Sequence, residues 1–256
     1  MSGSVRCLQL DVGNSSAKWR LLRGEQIVER GNYRPGDNVS ESLLLDCTEQ
    51  LDHIWVASVA ASATEEDLAA LLMARWGITP WFARTEVQTG SLRNSYTDAS
   101  RMGVDRWLAM LGAREREQGR LCVVDAGSAL TIDIVSGCGQ HEGGYIIPGP
   151  ALMERALLLD TDRVRFEEEV AYALEPGKST AEAVRHGIAL AQAGAVELAL
   201  QKAGSESMAL FFSGGAGETL MSMVQRSSRW APDLVFEGLA AMAAQHELEN
   251  PTREMK

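Results

Sequence analysis

Two short acidic runs in this chain have the residue types and spacing that a polyphosphate requires. The first is Asp11-Val12-Gly13-Asn14-Ser15-Ser16-Ala17-Lys18, and the second is Asp125-Ala126-Gly127-Ser128. Phosphate oxygens need N–H and O–H donors at close range, and a glycine lets backbone amides approach where a side chain would stand in the way. Lys18 adds a cation that can reach a phosphate, while Asp11 suits a metal ion or its water shell. The second run repeats these parts without the lysine. Either turn alone is equally an ordinary hairpin turn, where Asp, Gly, Asn and Ser abound. A matched pair is much harder to dismiss.

A third acidic group stands in Gly103-Val104-Asp105-Arg106, at the expected start of a helix. A hydroxyl that accepts a phosphoryl group needs a carboxylate to orient it and take its proton, and positive charge to steady the group in transit. Asp105 and Arg106 supply both. The pattern also fits a plainer role, because an aspartate in a first helical turn serves the helix dipole.

The flanks of the acidic runs say how they are held. Residues 8–22 read LQLDVGNSSAKWRLL and residues 122–136 read CVVDAGSALTIDIVS. Asp11 aligns with Asp125, Gly13 with Gly127 and Asn14 with Ser128. Each copy predicts a strand, a glycine turn and a returning strand with alternating apolar residues. Two such units, about half a chain apart, imply a duplicated two-lobe α/β architecture, with lobes at residues 1–118 and 119–256. Between them strands and helices alternate. Residues 54–60 predict a buried strand, Thr64 caps a helix that Gly77 ends, and 81–83 predict another strand. A polar loop over 84–100 leads to a helix from about Val104.

In the second half, 145–150 form a strand into a Pro/Gly turn, with a helix from about Ala151. Ser179 and Glu182 make a capping box that opens a helix to about Lys202. A strand at 208–213 leads into Ser213-Gly214-Gly215-Ala216-Gly217, equally a seat for one end of a nucleotide or a plain strand-to-helix turn. Residues 234–236 predict a last strand, Gly238 begins a closing helix, and the tail from Asn250 is expected to fray.

Other chemistries find less support. With a formal charge of −11 over 256 residues and no basic run, a nucleic acid is a poor partner. No 18-residue apolar run or signal-like start is present, so neither membrane nor export is expected. Cys7, Cys47, Cys122 and Cys138 form no Cys-x-x-Cys pair; Cys7 and Cys122 belong to strand-like runs and are expected to be buried. A reducing cytoplasm fits. His53, His141, His186 and His246 lack metal-site spacing, and no Ser/His/Asp signature presents itself. Gly177-Lys178-Ser179 resembles a Walker A ending, but the required upstream glycine is Tyr172. The dinucleotide fingerprint begun at Gly137 fails at Glu142.

Taken in order, these pieces resemble type III pantothenate kinases. The family's D-x-G-N-(T/S)-x-x-K is matched by Asp11–Lys18, its G-x-D-R by Gly103–Arg106, and its D-x-G-(T/S)-A-x-T-x-D by Asp125–Asp133. Its G-G-x-I-x-P-G is matched by Gly143–Gly149. The resemblance implies a duplicated actin-like (ribonuclease H-like) ATPase fold with the active site in the cleft between lobes. It implies ATP-dependent phosphorylation of pantothenate to 4'-phosphopantothenate, the first step of coenzyme A biosynthesis. Asp105 would be the catalytic proton acceptor, and Tyr96, Gly103, Val104, Arg106 and Thr180 would contact pantothenate, Thr180 from the partner subunit of a homodimer. The run Asp11 to Lys18 and Ser128 would bind ATP with Mg²⁺, and Asp125 would bind a monovalent cation, K⁺ or NH₄⁺. Ser15, Ser128 and Ser213 stand where threonine is commoner, which keeps the hydroxyl. Another small-molecule kinase or phosphatase of this fold, or a non-catalytic regulatory protein, is the alternative.

Overall fold

The computed structural model describes residues 4–14, 16–46, 50–160, 164–204 and 207–249. Ser15, Cys47 and the tail expected to fray lie outside the described residues. The chain divides into two compact units. One takes in the chain up to Gly90, Tyr96–Glu115 and the chain from Val235; the other takes in Ser91–Ser95 and Arg116–Leu234.

The chain opens with a three-stranded antiparallel meander: β1 (Arg6–Val12), β2 (Ala17–Arg23) and β3 (Gln26–Tyr33). Helix α1 (Asn38–Leu45) leads to β4 (His53–Ser58), parallel to β1, and α2 (Ser62–Trp76) leads to β5 (Trp81–Phe82), parallel to β4. The sheet order is β3-β2-β1-β4-β5. Leu8, Leu10, Trp19, Ile54 and Val56 on one face pack with Leu68 and Leu72 of α2 into a dry core, the arrangement that alternation along each strand dictates. Helix α2 begins earlier than expected. Ala61 is its N-cap, without a side-chain bond, and Thr64 lies inside the helix. Gly77 ends it as expected, in the left-handed region at φ 70°. Two short strands, β6 (Gln88–Thr89) and β7 (Leu92–Arg93), and a 3-10 turn at Ala99–Arg101 break up the stretch expected as loop, before α3 (Val104–Arg116).

The second sheet is built the same way. Strands β8 (Leu121–Ala126), β9 (Ala129–Val135) and β10 (His141–Pro148) form an antiparallel meander. After α4 (Pro150–Asp160) and α5 (Thr180–Ala203) come β11 (Ala209–Ser213), parallel to β8, then α6 (Gly217–Met223) and β12 (Arg229–Trp230), parallel to β11. The order β10-β9-β8-β11-β12 reproduces that of the first sheet, strand for strand and sense for sense. The sequence repeat is therefore a repeat of topology. Cys122, Val124, Leu130, Ile132 and Phe212 pack against Val196 of α5 and Leu220 of α6. The expected capping box is half formed: Ser179 Oγ accepts from the Glu182 N–H at 3.2 Å, but Glu182 Oε2 accepts at 2.6 Å from the N–H of Lys178, one residue before the cap.

The strand expected at 234–236 is not there. Leu234, Val235 and Phe236 form the first turn of α7 (Leu234–Glu249). A three-residue apolar run reads alike as strand or helix, and the helical spacing of buried Val235, Leu239 and Met242 decides it. Gly238 lets α7 press on α3, since a Cβ there would strike the Leu108 carbonyl. Phe236 receives the Arg20 guanidinium 4.8 Å above its ring. No described helix is long and apolar enough to cross a membrane.

Candidate active site

In the first hairpin, β1 and β2 place Asp11 directly opposite Lys18 and Val12 opposite Ala17. Directly opposed residues of an antiparallel pair share a face. Asp11 is half-buried while Lys18 is exposed. The turn over 13–16 is closed by the Gly13 N–H donating to the Ser16 carbonyl at 3.0 Å. Asn14 and Ser16 are exposed on it.

The run Gly103–Arg106 reaches the same edge of this sheet. The Val59 N–H donates to the Val12 carbonyl at 3.0 Å, and the Val59 side chain comes within 3.9 Å of where a Cβ on Gly103 would sit. Gly103 and the end of β1 thus both adjoin Val59 at the carboxyl ends of β1 and β4, the edge at which open α/β sheets bind ligands. Asp105, half-buried in the first turn of α3, has Oδ1 accepting from the Arg106 N–H at 2.8 Å. A Cβ on Gly103 would lie 2.5 Å from that same oxygen. Any other residue at 103 would push the carboxylate aside. The N-terminal end of α3 favours negative charge there.

Arg106 is 6% exposed, and its Nη1 donates to Tyr96 Oη at 2.9 Å with the guanidinium 5.8 Å from the ring centroid. Tyr96, Arg106 and Asp105, separated by a loop in the sequence, are brought together. A cavity of about 430 Å³ adjoins them, lined by Ser58, Arg84, Thr85, Arg101, Gly103 and Val104. Arg84 is held by Glu65 at 3.0 Å; its hydrogen bond keeps the Glu65 carboxyl below the usual range and raises its own guanidinium in return. Sequence reasoning missed Arg84 and Arg101, whose only signal was charge at the two ends of the polar stretch before α3.

The second hairpin carries Asp125 opposite Thr131. Its turn is tighter, closed by the Gly127 N–H donating to the Ala129 carbonyl at 2.9 Å. Buried Ser213 stands beside Asp125 in parallel register. Gly214, at φ 86°, packs so closely that a Cβ would lie 2.5 Å from the Ala126 carbonyl oxygen, and a Cβ on Gly149 would strike the carbonyls of Gly127 and Ser128. The glycine loop after β11 therefore braces the second turn. Half-buried Asp125 has Ser213 beside it in the sheet and Ser128 three positions along the chain, and the oxygens that these residues carry are of the kind that suits a hard cation. Among the described residues no group of three His, Cys, Asp or Glu side chains could hold a metal, so such a cation would rely on one carboxylate and neutral oxygens. Thr180, the first residue of α5, is exposed beside a groove of about 710 Å³ lined by Pro148, Leu152, Leu157 and Val184.

Residues 7–202 match the family model of type III pantothenate kinase. The chain belongs to the type III pantothenate kinase family. The type III pantothenate kinase of Ectopseudomonas mendocina is 39% identical over 242 residues, covering 91% of this chain and 97% of that enzyme. Among solved structures, a Campylobacter jejuni protein described as a Baf family transcriptional activator superposes with TM-score 0.59 at 23% identity, covering 95% of this chain and 98% of its own. MreB 5 of Spiroplasma citri, bound to AMPPNP, superposes with TM-score 0.50 at 10% identity, covering 96% and 99%. At such identities the likeness is one of fold, and this pantothenate kinase family member has the duplicated two-lobe α/β architecture expected from its hairpins and the actin-like fold that the family resemblance implies.

Proposed function

We propose that this kinase transfers the γ-phosphoryl group of ATP to the terminal hydroxyl of pantothenate, giving 4'-phosphopantothenate and ADP, and that Asp105 takes the hydroxyl proton. The observation that carries the reading is the setting of Asp105: a carboxylate at a helix N-terminus, given room by Gly103, beside the Arg106–Tyr96 pair and on the sheet edge that bears the Asp11 turn. As the acceptor oxygen bonds to phosphorus and the bond to ADP breaks, the proton passes to Asp105. Tyr96, Gly103, Val104 and Arg106 hold pantothenate so that this oxygen meets the carboxylate. Such chemistry is mostly positioning and charge neutralisation.

The run Asp11 to Lys18 and Ser128 bind ATP, with amides and hydroxyls on the phosphates and Lys18 countering their charge. Asp125 holds the monovalent cation, K⁺ or NH₄⁺. That cation, and the Mg²⁺ that accompanies ATP, neutralise phosphate charge when bound. The kinase works in the cytoplasm as a homodimer in which Thr180 serves the partner's pantothenate. Helix α4 supports the dimer: it has no buried residue and exposes Leu152, Leu157 and Leu159 next to the apolar groove, a face of the kind that a partner covers.

The test is ADP release with and without pantothenate, first in potassium and then in sodium. Asp105→Asn should lower kcat by about a hundredfold or more, the usual worth of a positioned base, and change the pantothenate KM little. Unchanged turnover would remove Asp105 from the mechanism.

A further inference from the structure

Asp133 closes the second acidic motif, and its carboxylate pairs with a buried histidine. It is 1% exposed, and its Oδ1 lies 3.0 Å from Nε2 of His141, also 1% exposed. The other ring nitrogen, Nδ1, lies 2.8 Å from Ser95 Oγ. A carboxylate accepts, so Nε2 donates to Asp133, and the second ring nitrogen shares the outer bond with the Ser95 hydroxyl. A buried polar pair is costly unless fully bonded. Here the chain of bonds runs outward from the sheet and ends on a residue that is itself exposed.

Neighbouring bonds fasten the same stretch. The Arg93 N–H donates to the Gly139 carbonyl at 2.9 Å, and Gln140 Nε2 donates to the Arg93 carbonyl at 3.4 Å. Gly139 approaches so closely that a Cβ would strike the Ser91 carbonyl. Ser95 ends this fastened stretch, and the next residue is Tyr96, whose hydroxyl oxygen takes the Arg106 hydrogen bond.

We infer that Asp133 and His141 are positioning residues for the acceptor substrate: through Ser95 they fix the backbone from which Tyr96 is presented to Arg106 and pantothenate. The inference rests on the reading of Tyr96 as a pantothenate contact. It gives the last aspartate of the second motif a task on the alcohol side of the reaction, not on the nucleotide.

His141 and Asp133 are buried, and truncating either can unfold the protein, so the test uses exposed Ser95 in the full-length enzyme. Ser95→Ala should raise the pantothenate KM about fivefold, the effect of losing one hydrogen bond, with the ATP KM and Tm unmoved. Ser95→Thr should restore the original value. In a Tyr96→Phe background, Ser95→Ala should add nothing, because its effect runs through the tyrosine. An equal rise in both KM values, an effect that adds in the Tyr96→Phe background, or an unchanged pantothenate KM in Ser95→Ala would each overturn the inference. If Tyr96→Phe alone leaves the pantothenate KM unchanged, the reading of Tyr96 fails and the inference falls with it. That outcome is distinct from a failure of Ser95→Ala alone.

Discussion

The two Asp-x-Gly hairpins share strand order and strand sense, yet differ in what faces the aspartate and in what holds the turn. Across the first, Asp11 meets Lys18; across the second, Asp125 meets Thr131. The first turn spans 13–16, and a Cβ on Gly13 would approach nothing closer than the Ser16 carbonyl at 3.3 Å. The second is wedged by Gly149 and Gly214. Duplication supplied two copies of one scaffold, and the side chains that face each aspartate differ between them. A carboxylate opposite a lysine suits a site that must hold anionic phosphates. A carboxylate opposite a neutral hydroxyl keeps its attraction for a cation.

Charge removal is the most direct way to break this contrast. If only the second hairpin holds the monovalent cation, Asp125→Asn should abolish the difference between potassium and sodium and lower kcat about a hundredfold. Asp11→Asn should weaken ATP binding while leaving the potassium preference in place. Steady-state ADP release in the two salts measures both, and a potassium preference that survives Asp125→Asn would end the division of labour.

Backbone packing offers the next test. Gly214→Ala forces a Cβ into the Ala126 backbone at positive φ and should cost about 3 kcal/mol, or about 8 °C in Tm. Gly13→Ala needs only a small shift and should cost under about 1 kcal/mol. Thermal unfolding of the two variants side by side checks this, and equal losses would mean that the second turn is no more tightly held than the first.

The smallest effect sharpens what the hairpins have in common. Cys7 on β1 and Cys122 on β8 are both buried, and burial pushes the Cys122 thiol up to about 12. It therefore stays protonated and unreactive at neutral and mildly alkaline pH. Exposed Cys138 is shifted the other way by the Ser136 hydroxyl, so its thiolate forms at lower pH. Alkylation of the folded protein at mildly alkaline pH should mark Cys138 ahead of Cys7 and Cys122, with those two reacting only on unfolding.

Much of this was legible in the residues because it is local. The hairpins, the Gly77 stop and the Ser179 cap depend on side chains a few positions apart, and their chemistry repeats at fixed spacing. The first turns of α2 and α7 were misplaced for the complementary reason. Thr64 and the 234–236 triplet carry local signals that packing overrode, through Ala61 at the cap and through burial of Val235, Leu239 and Met242. The weakly apolar β3 and α1 escaped notice altogether.

The sequence by itself determined the duplicated hairpins and the three acidic positions, since a glycine turn after an apolar strand needs no distant partner to form. Tertiary structure alone decided that Gly103 clears space for Asp105, that Gly149 and Gly214 brace the Asp125 turn, and that Asp133 meets His141 and Ser95. The Gly149, Gly214 and Ser95 contacts join residues far apart along the chain, and only close packing in the folded state fixes which of them touch.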